Sequence, residues 1–330
     1  MNTTGHAIGS RVVIVTPAPR GSTSGNRVTA LRWAALLRQL GVQVQVHERW
    51  QGQACDVLVA VHAAKSAPSV LRIAAERPAA RRVVLLAGTD IYPQFTAEPD
   101  ALAALQLADA VIGLQPLAAA ALPAALRGKV RTIVQSAVPV PATRRATFRV
   151  CVLAHLREVK APLLPLLAFA QVPYDRPAEL VLAGRALTAE VETRLQESIA
   201  HEPRARWLGP LPRQQARRLL GESHACIVAS TAEGGANVVT EAIAAGTPVL
   251  ASDIPGNRGL LGADWPATFP PGDAEALGRL LVRCRDDEPF RRDLERRLHG
   301  LLPMVDPAHE REAWRRLLTD LGVGLPPVAH

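Results

Sequence analysis

Between Ser230 and Ser252 the chain runs S-T-A-E-G-G-A-N-V-V-T-E-A-I-A-A-G-T-P-V-L-A-S, with Glu233 and Glu241 eight positions apart. The apolar run Ala225–Ala229 before it predicts a buried strand, and the E-G-G loop then opens a helix. Gly246 suits the end of that helix, and Pro248 leads into the next buried strand. A helix entered through Gly234 and Gly235 leaves free N–H groups near Gly235, Ala236, Asn237 and Val238, which together favour an anion. Glu241, one to two turns further on, can accept two hydrogen bonds from a vicinal diol such as ribose. A phosphate end beside a ribose end describes a nucleotide site. Either glutamate alone would be an ordinary surface carboxylate on an α/β crossover; the compound pattern favours the site.

Elements must bring such groups together, and the rest of the chain supplies them. Strand candidates at Arg11–Thr16, Val42–His47, Asp56–Val61, Val83–Ala87, Ala110–Gly113 and Val130–Val134 alternate with Ala- and Leu-rich helical stretches. The pattern lapses in V-P-V-P-A-T-R-R at Val138–Arg145, a plausible linker, and restarts with Phe148–Leu153, Leu180–Ala183, Arg206–Leu208, Ala225–Ala229 and Pro248–Ala251. Such alternation predicts parallel sheets covered on both faces, in two analogous units. Ligands then belong in loops at the carboxyl ends of the strands. In the first half those loops hold Gly21, Gly25, Asn26 and Arg27 after the first strand, then His62 and Lys65, then Thr89, Asp90 and Tyr92. In the second half they hold Arg157 and Lys160, with Gly209 and Leu211 after a later strand. Near the C-terminus, Ala313, Trp314, Leu317, Leu318 and Leu321 line one side of an amphipathic helix after Pro307.

Composition narrows the function classes. At 330 residues, 48% hydrophobic and 21% charged, the chain has the make-up of a globular protein with room for two cores. A net charge of +8 invites a nucleic-acid reading, but the positive charge is almost all scattered arginine, and aromatics at 4% are too few for base-stacking platforms. Cys55, Cys151, Cys226 and Cys284 form no C-x-x-C pair and no metal-like spacing, and no D-x-D motif is present, so a metal-free site is expected. Residues 1–10 lack a signal-peptide core and no run approaches about eighteen apolar residues. These features predict a cytoplasmic protein with no membrane segment and no nucleic-acid partner.

The Ser230–Ser252 segment resembles the donor-nucleotide motif of GT4-like glycosyltransferases. That resemblance implies the GT-B architecture, two facing Rossmann-like doubly wound domains with a C-terminal helix crossing back to the first. It places an acceptor domain at 1–143 with the crossover helix at about 308–322, and a donor domain at 144–307. It also implies that Glu233 addresses the sugar, Glu241 the ribose, and Arg157 with Lys160 the diphosphate, with the base against backbone at Gly209 and Leu211. Positive groups there would stabilise the charge that grows on the departing nucleoside diphosphate. No cofactor is implied, only a UDP-sugar co-substrate.

A narrower resemblance follows from G-N-R-V-T-A-L-R-W, H-A-A-K-S, L-A-G-T-D-I-Y and E-G-G-A-N-V-V-T-E together with D-I-P-G-N-R-G-L-L-G. These are similar to the selenosugar synthases of selenoneine biosynthesis. Membership would imply UDP-N-acetylglucosamine as donor, selenophosphate as acceptor and a carbon–selenium bond in the product. The acceptor side would hold Gly25, Asn26, Arg27, His62, Lys65, Thr89 and Asp90, and its basic character suits an anion better than a sugar hydroxyl. The competing readings are a GT4-like transferase onto a hydroxyl of a lipid or polysaccharide precursor, and a binding protein without turnover.

Overall fold

The computed structural model describes residues 10–22, 24–91 and 98–326. Tyr92 and Thr23, both in loops singled out above, lie outside the described residues. Two compact units emerge: residues 1–134 with 308–330, and residues 135–307.

The first unit is a six-stranded parallel sheet. Its elements are β1 (Arg11–Val15), α1 (Gly25–Gln39), β2 (Gln43–His47), β3 (Val57–Val61), α2 (Ala63–Glu76), β4 (Arg81–Leu85), α3 (Pro99–Leu107), β5 (Ala110–Gly113), α4 (Ala124–Arg127) and β6 (Val130–Thr132). The strand order is β2-β1-β3-β4-β5-β6. Side chains alternate across a strand, so the apolar runs feed two cores. Val13, Val15, Leu58 and Ala60 pack with α2, α3 and α4 on one face; Val12, Ile14, Val57, Val59 and Val61 pack with α1 on the other.

The second unit repeats the plan: β7 (Phe148–Leu153), α5 (Leu164–Phe169), β8 (Ala178–Ala183), α6 (Ala189–Ala200), β9 (Ala205–Trp207), α7 (Arg213–Glu222), β10 (Ala225–Val228), α8 (Asn237–Ala245), β11 (Val249–Ser252), α9 (Pro255–Leu261), β12 (Thr268–Phe269), α10 (Ala274–Asp286) and α11 (Glu288–Leu301). The order β12-β11-β10-β7-β8-β9 is again parallel throughout. The stretch Val138–Arg145 lies against α7, where the Thr143 amide donates to the Gly221 carbonyl at 2.9 Å and Arg217 donates to the Val138 carbonyl at 2.7 Å.

The last helix, α12 (Pro307–Asp320), completes the α1 face of the first unit. Trp314, Leu317 and Leu318 are buried there, with Ala313 and Leu321 at the margin, the side that the sequence pattern marks as apolar. Trp33 and Trp314 meet edge to face at 4.9 Å, and the Trp33 indole N–H donates to Glu310 at 2.9 Å. Two Rossmann-like lobes with a returning C-terminal helix constitute the GT-B fold.

Candidate active site

In a doubly wound sheet the strand order reverses at one point, and the crevice beyond the strand ends there is the usual ligand site. In the second unit the reversal falls between β7 and β10. The loop after β7 carries Arg157 and Lys160, and the loop after β10 carries Glu233, Gly234 and Gly235. The structure joins these loops. The Thr231 amide donates to the Val159 carbonyl at 2.9 Å, and the Lys160 ammonium pairs with Glu233 Oε1. Ser230 Oγ donates to the same carboxylate oxygen at 2.6 Å. Glu233 is buried, so a charge-paired and hydrogen-bonded carboxylate is the only inexpensive way to keep it ionised. Arg157 is exposed and precedes the short 3-10 turn Glu158–Lys160.

Gly235 has φ near 149°, a value that glycine tolerates and other residues rarely adopt. The chain then enters α8 through Ala236, and no side chain caps the first N–H groups of that helix. Asn237 and Val238 form its first turn, and Glu241 lies one turn on, its side chain one-fifth exposed with Arg213 Nε at 3.7 Å. Gly246 closes the helix in the left-handed conformation at φ 62°. Gly209 also has positive φ, 66°, and its carbonyl accepts from the Gly184 amide at 2.8 Å, placing it and Leu211 after β9 at the same end of the sheet. The uncapped tip of α8 and two carboxylates thus lie at the same carboxyl-end side of the second sheet as Lys160.

In the first unit the order reverses between β1 and β3. Gly25 and Asn26 start α1, and Arg27 follows them into burial at 8% exposure. Its Nε and Nη1 find no hydrogen-bond partner among the described residues. At the end of β3, His62 has φ 76° and ψ 100°, an unusual conformation for a residue with a side chain. Its Nδ1 lies 2.8 Å from Asp90 Oδ1, with both side chains nearly solvent-free. The Lys65 amide also approaches Nδ1, at 3.4 Å. The Asp90 carboxylate is thus the closer of the two neighbours of Nδ1. Asp90 further accepts from the Ala63 amide at 2.7 Å, Ala87 at 3.0 Å and Ala64 at 3.3 Å. Lys65 is exposed, and Thr89 belongs to the 3-10 turn Gly88–Ile91 that carries Asp90. Sequence reasoning named His62 and Asp90 as separate candidates and missed that they form a pair. It also missed Ser230, whose hydroxyl direction no spacing rule reveals.

Among the described residues, no group of three or more His, Cys, Asp or Glu side chains could hold a metal ion, and no helix is long and apolar enough to cross a membrane. Residues 141–298 match the family profile of glycosyl transferases group 1. The second unit thus matches a glycosyl transferase family over most of its length, and the chain as a whole has the GT-B fold. Solved structures share its fold at low identity. Anabaena HepE in complex with UDP-glucose aligns with TM-score 0.74 and 16% identity, covering 94% of this chain and all of that one. Sucrose-phosphate synthase from Thermosynechococcus elongatus aligns with TM-score 0.77 and 16% identity over 95% of this chain and 99% of that one. An α,α-trehalose-phosphate synthase (UDP-forming) from Burkholderia xenovorans, in complex with glucose-6-phosphate, gives 0.65 and 13% over 80% of this chain and 72% of that one. No curated protein matches the chain by sequence. The family match lies wholly within the second unit, the one that carries Glu233 and Glu241.

Proposed function

We propose that the transferase moves a sugar from a UDP-sugar to an anionic acceptor, with the donor held by the second unit and the acceptor by the first. The observation that carries the donor assignment is the convergence of Lys160, Glu233 and the uncapped tip of α8 at the strand-order reversal, with Glu241 one turn on. Glu241 takes the ribose diol, Glu233 the sugar hydroxyls, and Arg157 with Lys160 and the helix tip the diphosphate. UDP and UDP-glucose in complexes of the similarly folded HepE support a uridine nucleotide as the leaving group. As the anomeric C–O bond breaks, its electron pair passes to UDP, and preformed positive groups stabilise that charge without reorganisation.

For the acceptor, the first unit offers a buried guanidinium whose Nε and Nη1 have no hydrogen-bond partner among the described residues. A desolvated cation is costly unless an anion meets it, which supports a phosphate-bearing acceptor. The motif resemblance around Gly25–Trp33, His62–Ser66 and Leu86–Ile91 favours selenophosphate, with UDP-N-acetylglucosamine as donor and a new carbon–selenium bond at the anomeric carbon. An ionised nucleophile of this kind needs orientation and charge balance more than a base.

A second reading rests on the His62–Asp90 pair. An imidazole oriented by a carboxylate is what a hydroxyl acceptor would require as general base. It corresponds to a GT4-like transferase acting on a hydroxyl of a lipid or polysaccharide precursor. Incubation with UDP-N-acetylglucosamine and selenophosphate, read by mass spectrometry, separates the two. A selenium-containing sugar with stoichiometric UDP is expected. UDP release only in the presence of a hydroxyl acceptor would overturn the selenium assignment.

A further inference from the structure

The segment Asp253–Gly262, marked by its sequence and given no role above, is wired to the Glu233 loop. Asn257 is wholly buried, and its Nδ2 donates to the Ser252 carbonyl at 2.9 Å and to Ser252 Oγ at 3.1 Å. Ser252 Oγ donates to the Ser230 carbonyl at 2.5 Å, and Ser230 Oγ donates to Glu233 Oε1 at 2.6 Å. Lys160 pairs with that same oxygen. Gly256 fills the space behind the loop: a Cβ there would lie 2.3 Å from the Glu233 carbonyl oxygen and 2.9 Å from the Glu233 Cβ. Only a residue without a side chain lets α9 approach so closely.

We propose that Ser230, Ser252, Gly256 and Asn257 are positioning residues that fix which way the Glu233 carboxylate faces. The proposal rests on the reading of Glu233 as the group that addresses the donor sugar. Ser230 and Lys160 converge on Oε1, so that oxygen is committed to the protein and Oε2 is the one presented to the sugar hydroxyls. Without the Ser230 hydroxyl, the plane of the carboxylate would be freer to turn about its terminal bond and misdirect the lone pairs offered to the sugar. Without the Asn257–Ser252–Ser230 chain and the close approach at Gly256, the loop itself could shift. Every residue in the chain from Asn257 Nδ2 to Glu233 Oε1 is buried, where an unmade hydrogen bond is expensive, so losing one link costs the rest of the chain its alignment. Displacements of about 1 Å at such a site can cost roughly a hundredfold in rate, whereas UDP, which lacks the transferred sugar, offers Glu233 no hydroxyls of that sugar to hold.

The test compares Ser230→Ala and Gly256→Ala with wild type and with Glu233→Gln. Calorimetry gives the affinities for UDP and for UDP-N-acetylglucosamine, and UDP release gives turnover. Ser230→Ala removes one hydroxyl and Gly256→Ala adds one methyl, so they perturb the loop independently. For both, turnover should fall roughly tenfold or more and the UDP-N-acetylglucosamine affinity should drop relative to UDP, while UDP itself binds within about twofold of wild type. Restoration of turnover by Ser230→Thr, which keeps the hydroxyl, is also expected. If Glu233→Gln is impaired but Ser230→Ala and Gly256→Ala both behave as wild type, the positioning role is wrong. Equal weakening of UDP and the sugar nucleotide, with a lowered melting temperature, would make the network a fold element only and also overturn it. Wild-type behaviour of Glu233→Gln would instead sink the assignment of Glu233 on which the proposal stands.

Discussion

Glu241 and Arg27 make contrasting demands on the protein. Glu241 is one-fifth exposed on α8, with Arg213 Nε 3.7 Å from its carboxylate. Its replacement by Ala should forfeit charge-assisted hydrogen bonds of about 1.5–3 kcal/mol, a ten- to hundredfold weaker UDP-sugar affinity by calorimetry; an unchanged affinity would remove it from the site. Arg27 is buried with its Nε and Nη1 unpartnered among the described residues, a cost to the fold in the absence of a ligand. Arg27→Met should therefore leave the melting temperature unchanged or raise it, while the KM for selenophosphate rises at least about tenfold. A melting temperature several degrees lower would show that the guanidinium already has its partners within the fold. At this scale the sequence was legible where chemistry sits in one segment. Glu233 and Glu241 share a stretch of nine residues, and their spacing is readable. The Lys160–Glu233 pair spans 73 residues, and nothing local foretells it.

The elements explain why. Lys160 follows β7 and Glu233 follows β10, strands that are neighbours in the sheet although β8 and β9 separate them in sequence. Hydrophobic runs reveal that strands exist, and they do so for β1 to β11 to within a residue or two, because buried parallel strands are apolar on both faces, whereas the two-residue β12 was too short to be foreseen. They carry no information on which strands lie side by side, and that order creates the site. The C-terminal helix was legible for the opposite reason: its apolar stripe spans its whole length and needs only a matching face. Trp314 is fully buried against Trp33 with Leu317 and Leu318 beside it. Trp314→Ala should cost the first unit about 3–5 kcal/mol, measured by denaturant unfolding; a loss below about 1 kcal/mol would mean that α12 adds little to that core.

For the molecule as a whole, charge is the property to test. Many arginines are answered locally, as in Arg292–Glu288, Arg297–Asp293 and Arg315–Glu312. Exposed pairs of this kind stabilise little, but they disperse the net charge of +8, in keeping with a chain that has no concentrated basic tract for nucleic acid. His224 sets a pH limit. Burial, then the charges of Arg144, Arg291 and Arg149, push its pKa down from 6.5 to about 4, and its Nδ1 accepts from the Arg149 amide at 3.1 Å. Between those values the unfolded chain binds a proton that the folded one refuses, so stability must fall as pH drops from 6.5 towards about 4. Melting temperature against pH should show this slope, and His224→Gln should flatten it; an identical slope in the variant would place the acid sensitivity elsewhere. The most direct test of the donor assignment is a crystal structure of the protein with UDP. The ribose hydroxyls should lie on Glu241 and the diphosphate between Lys160, Arg157 and the first turn of α8, whereas UDP seated away from that helix tip would contradict the account.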